Sequence, residues 1–263
     1  MNYLDEIIAH KRKEVEEAKS FCPVQQLEKS NYFNRKTVSL KSALLQKNTS
    51  GIIAEFKRKS PSKGIINSSA RVQQTTTGYI NAGVSALSVL TDEKYFGGST
   101  KDLSEARQVN TCPILRKDFT VDEYQIIEAK SIGADVILLI AAVLSKEEIK
   151  SLTAVAVSLG LEVLLEIHEA EELDKADILQ HLIGINNRNL KTFEVNLEHS
   201  IALSALLPKD VIRIAESGIS QPENIALLKQ HGFTGFLIGE NFMKEAQPEI
   251  ACKKFIDRLS VLV

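Results

Sequence analysis

Residues 135–166 read DVILLIAAVLSKEEIKSLTAVAVSLGLEVLLE. A short apolar, β-branched run, Asp135–Ile140, gives way to a stretch of helical period and then to a second such run, Leu161–Glu166. Between them Ser145 with Glu148 matches a capping box, in which hydroxyl and carboxylate satisfy each other's backbone N–H groups at a helix start. The segment is therefore a strand-plus-helix unit that hands on to the next strand. The same rhythm runs outward in both directions. Before it lie Gly51–Lys57, Ala86–Leu90 and Pro113–Lys117; after it lie Leu182–Asn186, Val211–Glu216 and Gly235–Gly239. Thr120 with Glu123 and Ser220 with Glu223 repeat the cap pattern. Eight such units in roughly 190 residues match a (β/α)8 TIM barrel of class α/β, whereas a doubly wound sheet would more often use fewer strands and a fingerprint glycine loop. No G-x-G-x-x-G or G-x-x-x-x-G-K-[ST] occurs.

Ahead of the first unit, Leu4, Ile7, Ile8, Val15 and Ala18 fall at helical spacing among charges, and Leu40–Leu45 forms a second apolar helical stretch closed by the turn cluster Asn48–Gly51. The 263 residues read as one barrel domain, with 1–50 as an amino-terminal helical extension. A hydrophobic fraction of 44% suffices for a sizeable core, and a net charge of −2 gives no footprint for nucleic acid or anionic lipid. The run Lys57-Arg58-Lys59 is too short to change that. The longest apolar run, Val136 to Val143, falls far short of the ~20 residues that span a bilayer, and Met1 to Glu6 opens no secretory signal. The expected location is cytoplasmic. Cys22, Cys112 and Cys252 form no C-x-x-C and read as reduced thiols, two of them buried. His10, His181, His199 and His231 read as surface residues rather than metal ligands, and His168 stands near a strand end, two residues after Glu166. No metal or organic cofactor is expected.

Reactive groups of a barrel gather where strands end at the carboxyl face. Period two places Ile53, Glu55 and Lys57 in one row; others run Pro113, Leu115, Lys117; Glu162, Leu164, Glu166; Leu182, Gly184, Asn186, Arg188; and Ile212, Ile214, Glu216. Any one of these charges can be a solvated rim residue, and Glu55 with Lys57 can be a plain salt bridge. Taken jointly they make a polar constellation over an apolar interior, the usual composition of an active-site mouth. Gly218 follows strand seven and Gly239 strand eight; barrels recurrently seat a phosphate on backbone amides there, though glycine also permits a tight turn.

The stretch Ile52–Ser62, with its Glu-x-Lys-x-x-Ser-Pro-Ser element, resembles the signature of the indole-3-glycerol phosphate synthase family. Tyr95-Phe96 with Gly98-Ser99, Leu115–Phe119, Gly184–Leu190 and Ala215–Ile219 resemble the same family in order. The resemblance implies ring closure, decarboxylation and dehydration of a carboxyphenylamino-deoxyribulose phosphate without a cofactor. It implies Lys117 as general acid, Lys57 as the holder of the substrate carboxylate and a further proton donor, and Glu166 as the dehydration base. Glu55 and Asn186 would orient the reacting centre, and Arg188, Glu216 and Ser217 would complete the polar ring. Ser60 would contact substrate, Phe96 and Phe119 would wall the aromatic ring, and Gly218, Ile238 and Gly239 would offer amides to the phosphate. Position 240 is Glu where some members carry Ser, so a side-chain contact to phosphate is not expected there. The implied partner is a small sugar phosphate, with no fused domain, the chain stopping at Val263 soon after its eighth unit. Residues 59–69, with Gly64 and flanking serines, read as a lid. Two other readings stand beside this one: a Schiff-base aldolase using one of the lysines, and a barrel that binds a phosphate ligand without catalysis.

Overall fold

Buried strands that alternate inward and outward side chains need a second apolar layer on each side, and a closed parallel barrel ringed by helices supplies both. In the computed structural model, which describes residues 3–176, 182–189 and 194–262, eight strands meet this need. They are β1 (Ile52–Phe56), β2 (Ala86–Leu90), β3 (Ile114–Lys117), β4 (Val136–Ile140), β5 (Glu162–Ile167), β6 (Leu182–Asn186), β7 (Ile212–Glu216) and β8 (Phe233–Ile238). All neighbours are parallel, and β1 pairs with both β2 and β8, closing the ring. Met1, Asn2, His181, Leu190 and Val263 lie outside the described residues.

The expected strands are present with ends shifted by at most two residues. Ile53, Leu115, Leu138, Leu164, Leu182, Ile212, Ile214 and Leu237 fill the barrel interior, as the period-two rows require. Their neighbours Ile52, Ala54, Phe56, Leu139, Leu165 and Ile183 face outward and pack with the helices. The helices are α1 (Tyr3–Phe21), α2 (Val24–Leu27), α3 (Leu40–Leu44), α4 (Val72–Ala82), α5 (Glu93–Phe96), α6 (Thr100–Val109), α7 (Glu123–Ile132), α8 (Lys146–Ser158), α9 (Leu197–Ser204), α10 (Pro222–Gln230), α11 (Glu240–Met243) and α12 (Pro248–Leu262), with a 3₁₀ turn at Ala170–Lys175. No helix among the described residues is long and apolar enough to cross a membrane.

Two expected caps are displaced. Ser145 and Glu148 form their box, but α7 is capped by Asp122, whose carboxylate accepts from Tyr124 N, while Thr120 is buried two residues earlier. A carboxylate beside the positive end of a helix is a better cap than a hydroxyl that must stay in the core. At α10 the cap is Gln221 rather than Ser220, because Pro222 takes the first helical position and its missing N–H costs nothing there. The cysteines differ as well: Cys252 is buried, whereas Cys22 and Cys112 are partly exposed, all three being free thiols.

The extension straps the barrel from end to end. At the amino ends of the strands, Ser39 Oγ and the Leu40 and Lys41 amides donate to the carboxylate of Glu162, which opens β5. This draws Leu40 and Leu44 into the interior cluster as a floor. Beside them Asp135 accepts from Val38 N and pairs with Arg35 at 2.6 Å and Arg107 at 2.9 Å. Leu40→Ala removes a fully buried side chain from that floor and is expected to cost about 2–5 kcal/mol, read as an earlier urea midpoint with little change in slope.

Candidate active site

At the opposite end the register brings the charged strand ends to one level. Glu166 on β5 lies opposite Gly184 on β6, and Asn186 lies opposite Glu216 on β7. Gly184 has a spatial role: a Cβ there would fall on Glu216 Oε1, so the missing side chain is what lets Glu216 lean in beside Glu166. Gly239 makes the same room for the Glu55 carboxylate.

The result is an amine between two acids. Lys117 Nζ donates to Glu166 Oε2 at 2.7 Å and to Glu216 Oε2 at 2.8 Å. Burial pushes the Lys117 amine down, but Glu166, Glu216 and Glu55 outweigh it and hold the group above the ordinary lysine value. Burial likewise pushes the Glu166 carboxyl up, yet Lys117 and His168 prevail and keep it well below the usual range. Glu216 goes the other way: burial carries it up to about 7, with Lys117 opposing the rise and Glu166 adding to it. Two carboxylates sharing one cation thus sit in different protonation regimes at neutral pH.

Around this core the remaining groups are held in place. Asn186 Nδ2 donates to Glu166 Oε1 at 3.0 Å, and its Oδ1 accepts from Arg188 N. Lys57 Nζ pairs with Glu55 Oε1 at 2.7 Å. Phe96 and Phe119 face each other with ring centroids 6.0 Å apart. Ser217 adopts φ 65°, a left-handed backbone unusual for a residue with a side chain, and its carbonyl accepts from Asn187 Nδ2 at 2.7 Å. Gly218 follows at φ 72°, and a Cβ there would strike Val195 Cγ1. Glu240 turns to cations, with Arg188 at 3.5 Å and Lys63 at 3.8 Å.

A cavity of about 270 Å³ collects these groups. Its lining includes Glu55, Lys57, Lys117, Glu166, Asn186, Arg188, Glu216, Phe96 and Phe119, together with Ser60, Ser217, Gly218, Ile238 and Gly239. Every candidate catalytic and substrate-binding residue named from the sequence therefore lines one space. Lys59–Ser60 and Gly64–Ile65 form a small antiparallel ribbon, and Ser60, Pro61 and Ser62 of that loop border the cavity.

The structure places two further groups at the site, one unseen in the sequence and one noted there without a role. Tyr3, Leu4 and Ile7 of α1 roof the cavity, and Lys11, on the same helix face between Ile7 and Val15, is buried in ion pairs with Asp92 at 2.9 Å and Asp118 at 3.0 Å. Asp92 caps the helix bearing Phe96, and Asp118 lies between Lys117 and Phe119. A lysine in the apolar stripe of an amphipathic helix was the available signal. The second is His168, whose Nε2 stands 3.2 Å from Glu166 Oε1. It continues the inward row Glu162, Leu164, Glu166 by one more step of two.

A closed parallel barrel that clasps an amine between two acids at its carboxyl end has the makings of a (β/α)8 enzyme working by acid–base catalysis. The sequence comparisons narrow that class. The chain belongs to the indole-3-glycerol phosphate synthase family, whose model matches residues 4–255. It is 51% identical over 253 residues to the indole-3-glycerol phosphate synthase of Bacteroides thetaiotaomicron, covering 96% of this chain and 97% of the relative. The Polaromonas sp. relative of the same name is 42% identical over 252 residues, covering 94% and 96%. Among solved structures, the tryptophan synthase α2β2 complex from Pyrococcus furiosus superposes with a TM-score of 0.59 at 15% identity, covering 80% of this chain and 97% of that one, a likeness of fold.

Proposed function

We propose that the chain converts 1-(2-carboxyphenylamino)-1-deoxy-D-ribulose 5-phosphate to indole-3-glycerol phosphate, with loss of carbon dioxide and water. The observation that carries this reading is the Lys117 ammonium held between Glu166 and Glu216 in a cavity that also contains Lys57 and two facing phenylalanines. Phe96 and Phe119 wall the anthranilate ring, Lys57 holds its carboxylate with Glu55 keeping that amine in place, and Ser60 borders the substrate. The amides of Gly218, Ile238 and Gly239, with Ser217 and Arg188 beside them, seat the phosphate.

Lys117 then gives its proton to the ketone oxygen as the ring carbon attacks. A ketone oxygen becoming an alkoxide is basic enough to take a proton from an ammonium held this firmly. The transfer has a second effect. A neutral amine no longer holds Glu166 down, so the carboxylate becomes a stronger base at the stage when a C–H proton must be removed and hydroxide expelled. Asn186 keeps the Glu166 carboxylate aimed. A lysine held above its ordinary value is poorly suited to Schiff-base attack, which needs the free amine.

The same reading assigns one domain, 1–263 with 1–50 as extension, a cytoplasmic site of action supported by three free thiols, and closure of residues 59–69 over bound sugar phosphate. The test is a fluorescence assay of indole formation from the carboxyphenylamino sugar phosphate with the purified chain. Turnover to a fluorescent indole supports the assignment; a borohydride-trapped lysine adduct, or tight product binding with no turnover, overturns it.

A further inference from the structure

An acid stands at the end of the cavity to which the phosphate is assigned. Glu240 follows Gly239, whose amide belongs to that seat, and lines the cavity together with Arg188, Ser217 and Gly218. A carboxylate in this place repels a phosphate dianion, so a seat built for tight phosphate binding alone would leave it out. The chain instead gives each of its oxygens a cation. Arg188 Nη2, just beyond β6, lies 3.5 Å from Oε2, and Lys63 Nζ, in the turn of the antiparallel ribbon, lies 3.8 Å from Oε1.

These contacts are built to be exchanged. The pairs at the reacting centre are 2.7–2.8 Å long and buried, whereas Glu240 is 34% exposed and its two partners stand farther off. Half-exposed pairs of this kind are weak, and the carboxylate can turn to water when a stronger anion takes its partners. Glu55, which faces Gly239 from β1, has no such freedom, because Lys57 holds it at 2.7 Å. Lys244, whose N–H donates to the Glu240 carbonyl, lines the cavity as well. Arg188, Lys63 and Lys244 outnumber Glu240, so a dianion is still drawn to this end.

Resting on the assignment of phosphate to this end, we propose that Glu240 is a specificity-determining residue that holds the cations of the phosphate seat until phosphate takes them. The incoming dianion pairs with Arg188 and Lys63, Glu240 turns to solvent, and the ribbon carrying Lys63 follows the phosphate in. As product departs, the carboxylate recovers both cations. The competition reduces the share of recognition that the phosphate group carries and leaves the aromatic end of the cavity untouched.

Melting temperatures measured against ligand concentration give affinities without requiring turnover. Inorganic phosphate, glycerol 3-phosphate and, for the aromatic end, anthranilate are titrated into the unaltered chain, Glu240→Gln and the double variant Lys63→Met with Glu240→Gln, the ligand-free melting curves checking that each is folded. Glu240→Gln is expected to bind both phosphates about three- to tenfold more tightly at low salt, with the gain shrinking as salt is raised and anthranilate binding unchanged. The double variant should lose much of that gain. Phosphate held no more tightly by Glu240→Gln overturns the proposal, and so does an equal gain for anthranilate, which marks a change of the whole cavity. A gain kept in full by the double variant overturns the handover of Lys63. Arg188→Met separates the two levels. If it leaves phosphate binding of the unaltered chain intact, phosphate sits elsewhere and the underlying assignment falls with the proposal; if it abolishes that binding while Glu240→Gln brings no gain, the proposal alone falls.

Discussion

A Lys117→Met enzyme is expected to turn over about 10²- to 10⁴-fold more slowly than the parent and to release no carbon dioxide beyond that residue, since the ketone is never protonated and the ring never closes. The same change alters stability in a way set by charge. Glu166 and Glu216 are 3% and 1% exposed, and without the ammonium two buried carboxylates face each other. Breaking such a cluster costs about 3–5 kcal/mol while both acids stay ionised. Losing Lys117 leaves burial and repulsion by Glu166 to hold Glu216 further above its unfolded-state value, while Glu166 keeps only His168 against its own burial, so the folded variant binds more protons than the unfolded one through Glu216. Its stability therefore falls as pH rises through the raised value and recovers as pH drops. In the parent, Glu166 is held low by Lys117, and its contribution runs the opposite way, being lost as pH falls. Melting temperatures of parent and variant from pH 5 to pH 8 check this, the gap narrowing towards the acid end. A variant that keeps full activity, or a gap that widens on acidification, contradicts the placement of Lys117 as the cation of the site.

Glu166→Gln is expected to fail later in the reaction. Its amide keeps the shape and can still accept from Lys117, so ring closure and decarboxylation proceed, but an amide cannot take a proton from carbon. Steady-state formation of indole should fall about 10²- to 10⁴-fold. In a single turnover carbon dioxide appears without indole fluorescence, and a hydroxylated indoline accumulates. Carbon dioxide release thus separates the two variants: absent when the acid is removed, present when the base is removed. Simultaneous loss of both products in Glu166→Gln assigns the carboxylate to ring closure instead.

Much of this was readable from sequence because the barrel imposes a strict alternation. Once Ile53, Leu164 and Ile214 are set inward, Glu55, Glu166 and Glu216 must point the same way two residues on. The family resemblance then supplied roles that spacing alone cannot. What spacing hid was longer in reach. Lys11 acquires its meaning from Asp92 and Asp118, residues distant in the chain, and its helix alone shows merely an interrupted apolar stripe. The caps of α7 and α10 were misread because a Ser/Thr-x-x-Glu pattern tolerates a shift that a neighbouring Asp122 or Pro222 decides. His168 obeys the inward rule and its place two residues after Glu166 is legible, but spacing alone assigns it no role.

The strap has a bearing on how the chain acquires its shape. Leu40 and Leu44 precede every strand, yet they rest among residues as late as Ile212 and Leu237. Lys11 likewise waits for Asp118. During synthesis Leu40 and Leu44 have no complete seat until the last strands emerge, whereas the first helix can settle once Asp118, Val121 and Tyr124 are made. Contacts this distant in the chain slow the search for the native state. The floor is therefore a late arrival, and a nascent barrel is open at its amino end for most of its birth.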